Sequence, residues 1–222
     1  MNEYSFILWH DSDMAATAKN TKRTATRAKR RQQLIDATVK CIARKGMGST
    51  TLADVASEAG LSQGIVNLHF ESKENLLNET LRYIADEYQT QFNRVLQKSG
   101  PDAAHKLHAL MELDLRPSIL DRRKLAVWFA FWGEVKSRPT YRQICEKSDE
   151  YYDEVVHSLC EQLISAGDYN NVSAKAVTTV LTSMTNGMWL SCLISPKLFN
   201  RHDAMEAVDE YLRSIFPKHF PL

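Results

Sequence analysis

Apolar residues recur every three to four positions along most of the chain, the repeat of helices that bury one face. Between Ala28 and Lys45, residues Leu34, Ile35, Thr38, Cys41 and Ile42 share about a third of a helical wheel, and Gly46 ends the element. Thr51 is placed to cap a short helix over Leu52–Glu58, with Asp54 three residues on in the arrangement of a capping box. A turn at Ala59, Gly60 and Leu61 follows, and Ser62 starts a second short helix that reaches about Phe70. From Ser72 a long helix carries Leu77, Leu81, Ile84, Tyr88 and Val95 on one stripe, until Ser99, Gly100 and Pro101 break it.

Five further helical patterns cover about 102–115, 119–136, 140–166, 173–195 and 203–216, with breaks at Pro139, Gly167, Pro196 and Pro217. There is no alternating strand pattern, and no internal repeat at a period of about 20–50 residues. Six prolines and eight glycines in 222 residues are too few for the many turns of a β-sandwich. The predicted class is all-α. A flexible extension over 1–27, carrying a basic arm, precedes a three-helix unit over 28–74; a helical body follows over 75–222.

Composition is that of a soluble globular protein, with 44% hydrophobic and 25% charged residues. The net charge of +1 conceals an asymmetry. Residues 15–50 carry ten Lys and Arg against Asp36 alone, while the rest of the chain is mildly acidic. A basic arm on an acidic body suits a polyanion partner at one end, although a solvated tail has the same composition.

Cys41, Cys145, Cys160 and Cys192 form no CxxC pair and read as small hydrophobes in a reducing compartment. No run approaches the roughly 18 apolar residues of a membrane span. The apolar stretch Tyr4 to Trp9 makes a poor signal peptide, and Met14 offers an alternative start. A cytoplasmic protein without membrane contact is expected. Enzyme signatures are missing: there is no phosphate loop, no HExxH and no serine nucleophile elbow. His105 and His108 are three apart on a helix but have no further ligand nearby in sequence, so they read as surface. No cofactor and no metal are called for.

The segment Thr51 to Phe70 fits a helix-turn-helix in several independent ways. Ala56 is small where two helices must cross closely, and Gly60 can take the left-handed conformation the turn needs. Leu52, Val55, Leu61 and Val66 form the apolar wedge between the helices. The outward face of the second helix then offers Ser62, Gln63, Gly64, Asn67 and His69 to base edges or phosphates. Thr51, Val55-Ala56, the turn Ala59-Gly60-Leu61-Ser62, and Phe70 followed by Lys73 together resemble the N-terminal domain of the TetR family of transcriptional regulators. At Asn67 that family usually has a phosphate-contacting Tyr. The resemblance implies a homodimer that binds a pseudo-palindromic operator on double-stranded DNA. Lys29, Arg30, Arg31, Thr50, Thr51 and Lys73 are the further candidate DNA contacts.

In the body, Trp128 and Trp132 lie four apart with Leu125, Phe129 and Val135 on the same stripe, and Trp189 lies on the helix that carries Val177, Leu181, Met184 and Met188. Such a stripe packs a core; it can also supply an aromatic box for a quaternary ammonium ion. Asp114 falls on the apolar face of its helix beside Leu107, Leu110 and Met111, where an unpaired carboxylate is costly. Arg30 to Thr38, Leu125 to Trp132, Arg138 to Tyr141 and Asn186 to Leu190 resemble the BetI-type branch of the family, whose effector is choline. Trp128, Trp132, Trp189 and Asp114 are accordingly the candidate ligand residues. Tyr152, Leu159, Leu163, Leu181 and Met188 are the candidate dimer interface, since the last long helices of the family pair with their copies. The expected function is a repressor released from its operator by a small effector, choline or another quaternary amine. A regulator with an unrelated apolar ligand, or a helical binding protein without operator specificity, stays open.

Overall fold

The computed structural model describes residues 8–221, with side chains from residue 26 onward. Among the described residues it is wholly helical. The elements are α1 (Leu8–Lys45), α2 (Leu52–Glu58), α3 (Gln63–Phe70), α4 (Lys73–Lys98), α5 (Ala103–Asp114), α6 (Arg122–Trp132), α7 (Pro139–Gly167), α8 (Ala174–Ile194) and α9 (Arg201–Ile215).

Local chemistry sets most of these boundaries. Thr51 and Asp54 form the capping box, Asp54 N donating to Thr51 Oγ1 at 3.2 Å and Thr51 N to Asp54 Oδ2 at 2.8 Å. Ser72, Asp102, Asp121, Ser173 and Asn200 each accept a main-chain N–H at the start of the helix that follows. Pro139 opens α7, where its missing N–H costs nothing. Gly60 sits at φ +63° in the turn between α2 and α3, and Leu61 N closes that turn on Ala56 O at 2.9 Å. A Cβ on Gly167 would collide with the Tyr169 ring, so glycine there lets the chain fold back after α7.

Two expectations are corrected. The first helix begins at Leu8 rather than at residue 28, so the stretch expected as a flexible extension is helical over most of its length. Residues 8–45 contain no Gly or Pro and are rich in Ala, Lys and Arg, all good helix formers. Residues 1–7 lie outside the described residues. The sixth helix is shorter than its pattern: Asp121 caps it and Gly133 ends it, leaving 133–138 as turns.

The apolar residues gather into two cores. One joins Leu34, Ile35 and Cys41 of α1 to Val55, Ala56, Val66 and Phe70 of the two short helices and to Leu76. The other fills the body from Leu77 through Phe216 and takes in Ile42 of α1. Leu76 and Leu77 are neighbours on α4, so this one helix roots in both cores. Helix α6 packs on α1 as well as on α8, giving a second connection between the body and the N-terminal unit.

Candidate functional site

The N-terminal unit presents α3 on its surface. Val66 and Phe70 are buried beneath it, which turns Ser62, Gln63, Gly64, Asn67 and Leu68 outward. Ser62 leads into the helix without a side-chain cap bond, so its hydroxyl is not committed to the fold. Leu68 is 68% exposed, an unusual place for a large apolar side chain. The wedge reading that turned Val66 inward could have singled it out, since Leu68 lies two positions on along the same helix. His69 is half-buried, and desolvation first, then Arg27 and Arg31, holds its imidazole below the ordinary value.

The other candidate contacts divide. Lys29 and Arg30 are exposed on α1. Arg31 is not free: it pairs with Glu79 of α4 and lies 5.5 Å from the centre of the Phe70 ring. Thr50 is buried, its hydroxyl donating to Gly46 O at 2.8 Å. Thr51 works as the cap of α2. Lys73 reaches Gly48 O at 3.3 Å across the start of α4. Both Arg31 and Thr50 therefore hold the unit together. Lys40, Arg44 and Lys45, counted in the basic stretch, are engaged with Glu58 and Asp54 of α2.

In the body a cavity of about 70 Å³ opens between α4, α6, α7 and α8. Trp128, Trp132 and Trp189 all line it, as do Ile84, Tyr88 and Tyr152. The Trp128 and Trp132 rings are 6.0 Å apart, and Tyr88 meets Trp189 edge-on at 5.8 Å. One indole is anchored by its N–H group: Trp189 donates to the Asp114 carbonyl at 2.8 Å. Carboxylates stand at the lining too. Glu87 is paired with Lys124 at 2.6 Å, and Asp149 is exposed with its carboxyl pushed up to about 6 by desolvation and by Asp153. Water at this exposed rim tempers that rise.

Asp114 does not line the cavity; it stands one layer behind. Its carboxylate accepts from Tyr88 at 2.7 Å, Tyr152 at 3.1 Å and Thr185 at 3.3 Å, and all three donors belong to the cavity wall. Burial drives its carboxyl up to about 7 despite those three bonds, and raises both tyrosine hydroxyls as well. Tyr152, expected at a dimer contact, is thus part of the wall. Leu159, Leu163 and Leu181 are likewise buried in the protomer's own core, and Met188 is half-buried against it. An apolar helical stripe marks burial without saying what buries it, and here the same chain does. The apolar residues that α8 leaves outward are Val180, Leu190 and Ile194, with Leu198 beyond its end.

His105 and His108 pair with Asp102 and Asp209, at 3.2 and 3.0 Å. The four cysteines are free and buried. No helix among the described residues is long and apolar enough to cross a membrane.

Residues 34–80 match the model of bacterial regulatory proteins of the TetR family, and residues 103–217 match the C-terminal domain of the BetI-type transcriptional repressors. The chain belongs to the TetR family. An HTH-type transcriptional regulator BetI from Paraburkholderia phymatum is 30% identical over 192 residues, covering 86% of this chain and 94% of that one. One from Serratia proteamaculans is 26% identical over 193 residues, covering 86% and 95%. The TetR-family fold is shared with a regulator from Pseudomonas aeruginosa PAO1 (TM-score 0.76, 23% identity, 87% and 94% covered). It is shared too with one from Saccharomonospora viridis solved in complex with choline (TM-score 0.75, 22% identity, 84% and 96% covered). These relatives are named as regulators, and the chain is a transcriptional repressor of the BetI type rather than an enzyme.

Proposed function

We propose that two copies of this chain hold a two-fold operator and that a small quaternary amine, entering the cavity between α4, α6, α7 and α8, releases it. The observation that carries the ligand half is the cavity itself. Three indoles and two phenols surround a space for only a handful of waters, at roughly 10–15 Å³ each by the same measure. Aromatic faces attract a cation that has lost its water, and the one ammonium on the wall, Lys124, is already paired with Glu87. Behind the wall, Asp114 polarises the Tyr88 and Tyr152 hydroxyls toward itself. The Saccharomonospora viridis relative, solved in complex with choline, has the same fold.

The DNA half rests on the exposed face of α3. Gln63 and Asn67 are placed for base edges, and Lys29 and Arg30 for phosphates. Two α3 helices entering successive major grooves require a dimer. The outward apolar face of α8, with Val180, Leu190 and Ile194, supports pairing with a second copy.

A ligand shifts DNA binding only if it favours one arrangement of the heads over another. Helix α4 supplies Tyr88 to the cavity and Leu76 to the N-terminal core, while α6 supplies Trp128 and Trp132 and packs on α1. Small shifts of either helix therefore reach the reading unit. Selection from a random pool of duplexes tests the DNA half. The expected product is a two-fold symmetric site bound far more tightly than bulk DNA, typically by a factor of about 10³ or more. Binding with no enriched sequence would leave a nonspecific nucleic-acid protein.

A further inference from the structure

The three indoles of the cavity differ in one respect. Trp189 has a partner for its N–H group, whereas Nε1 of Trp128 is buried without any hydrogen-bond partner among the described residues. Trp128 itself lines the cavity and is 8% exposed. A buried donor left unmade keeps its full desolvation cost, and such groups in native proteins usually meet a partner in some state of the molecule. An indole can donate but not accept, so that partner is an acceptor atom. The carbonyls that end its helix do not supply one, since those of Phe129, Phe131 and Trp132 accept from Gly133, Glu134 and Val135 of the turn that follows.

We propose that Trp128 Nε1 donates to an oxygen of the ligand, so that this one N–H is what separates an oxygen-bearing alkylammonium from a bare tetraalkylammonium. This rests on the quaternary-amine reading above and adds to it a specificity-determining contact. The contact divides the labour between ring faces and one ring edge. The faces of Trp132, Trp189 and Tyr88 receive the cationic head, and the edge of Trp128 receives the oxygen. Among the other polar groups of the wall, Tyr88, Tyr152 and Thr185 donate to Asp114, Ser118 to Gln91 and Thr182 to Asp153, while Ser148 and Asn186 stand beside Trp128 as further wall donors.

The test is a cycle of two ligands and three proteins, read by calorimetry. Choline is compared with ethyltrimethylammonium, which has the same head and chain but lacks the oxygen. The proteins are the full-length chain, Trp128→Phe and Trp132→Phe. The unsubstituted protein should prefer choline by about five- to tenfold, the worth of one net hydrogen bond. Trp128→Phe should abolish that preference, while Trp132→Phe should weaken both ligands and leave it intact. Equal affinities in the unsubstituted protein, or a preference that survives Trp128→Phe, would overturn the contact and leave the amine reading standing. If neither amine binds at millimolar concentration, the amine reading falls first and this contact with it. The comparison within the unsubstituted protein decides the matter even where a variant fails to fold.

Discussion

Tyr88 donates its phenolic hydrogen to Oδ1 of Asp114 across 2.7 Å, and no cationic side chain among the described residues faces that carboxylate in return. Burial, the largest influence, lifts the Asp114 carboxyl up to about 7, so the folded chain holds this proton more tightly than the unfolded chain does. The stability carried by the protonated form is fully present below the ordinary carboxylate range, near pH 4, and is lost as pH rises through about 7. One pH unit between the folded and unfolded values corresponds to about 1.4 kcal/mol, so the loss is roughly 4 kcal/mol at most. Urea midpoints should therefore fall between pH 5 and pH 8, and Asp114→Asn should remove most of that slope. An unchanged slope in the variant would place the titrating group elsewhere.

The basic residues of α1 should separate into two kinds. Lys29→Ala and Arg30→Ala should each weaken binding to every duplex and lower the salt slope by about 0.9, the share of one neutralised phosphate. Arg31→Ala should instead cost stability, about 1 kcal/mol or less for an ion pair that is only half-buried. Fluorescence anisotropy at several salt concentrations, with thermal unfolding alongside, distinguishes the two behaviours. A salt slope that falls only for Arg31→Ala would reverse the assignment.

On α3, Gln63→Ala should cost about 1–3 kcal/mol at the selected operator and little on random DNA. Equal losses on both would mark Gln63 as a phosphate contact. Leu68→Ala should leave thermal stability within about 0.5 kcal/mol, because so much of the side chain is already in water. Its effect should appear at the operator, where replacing thymine by uracil removes the methyl group that a leucine can contact. A large drop in melting temperature would instead make Leu68 a structural residue.

Leu190→Asp combined with Ile194→Asp should give a monomer by sedimentation, with operator affinity falling steeply because one head alone reads half a site. The protomer's core should survive, since neither side chain is buried in it. A dimer that persists would move the interface off this face of α8.

The helix-turn-helix was legible in the sequence because Thr51, Asp54, Ala56 and Gly60 act over a few positions, through capping, close crossing and a positive φ that are local events. The meeting of the three tryptophans was half legible: a four-residue spacing fixes one face of α6, but only packing brings Trp189 of α8 opposite. The role of Tyr152 was not legible, because an aromatic on an apolar stripe looks the same against a partner chain or against the chain's own Asp114. The partners of Arg31 and Thr50 were not legible for a related reason. Their chemistry suits a phosphate, and their actual partners, Glu79 and Gly46, follow from the three-dimensional placement of α4 and of the turn after α1.

The central claim is that a cation in the cavity governs the grip on DNA. It is tested most directly by titrating the protein–operator complex with choline and, separately, with 3,3-dimethylbutanol, in which a carbon replaces the charged nitrogen. Choline should release the operator at micromolar to millimolar concentration and the neutral alcohol should not. Equal release by both would show a merely apolar cavity, and an operator complex indifferent to choline would contradict the proposed effector outright.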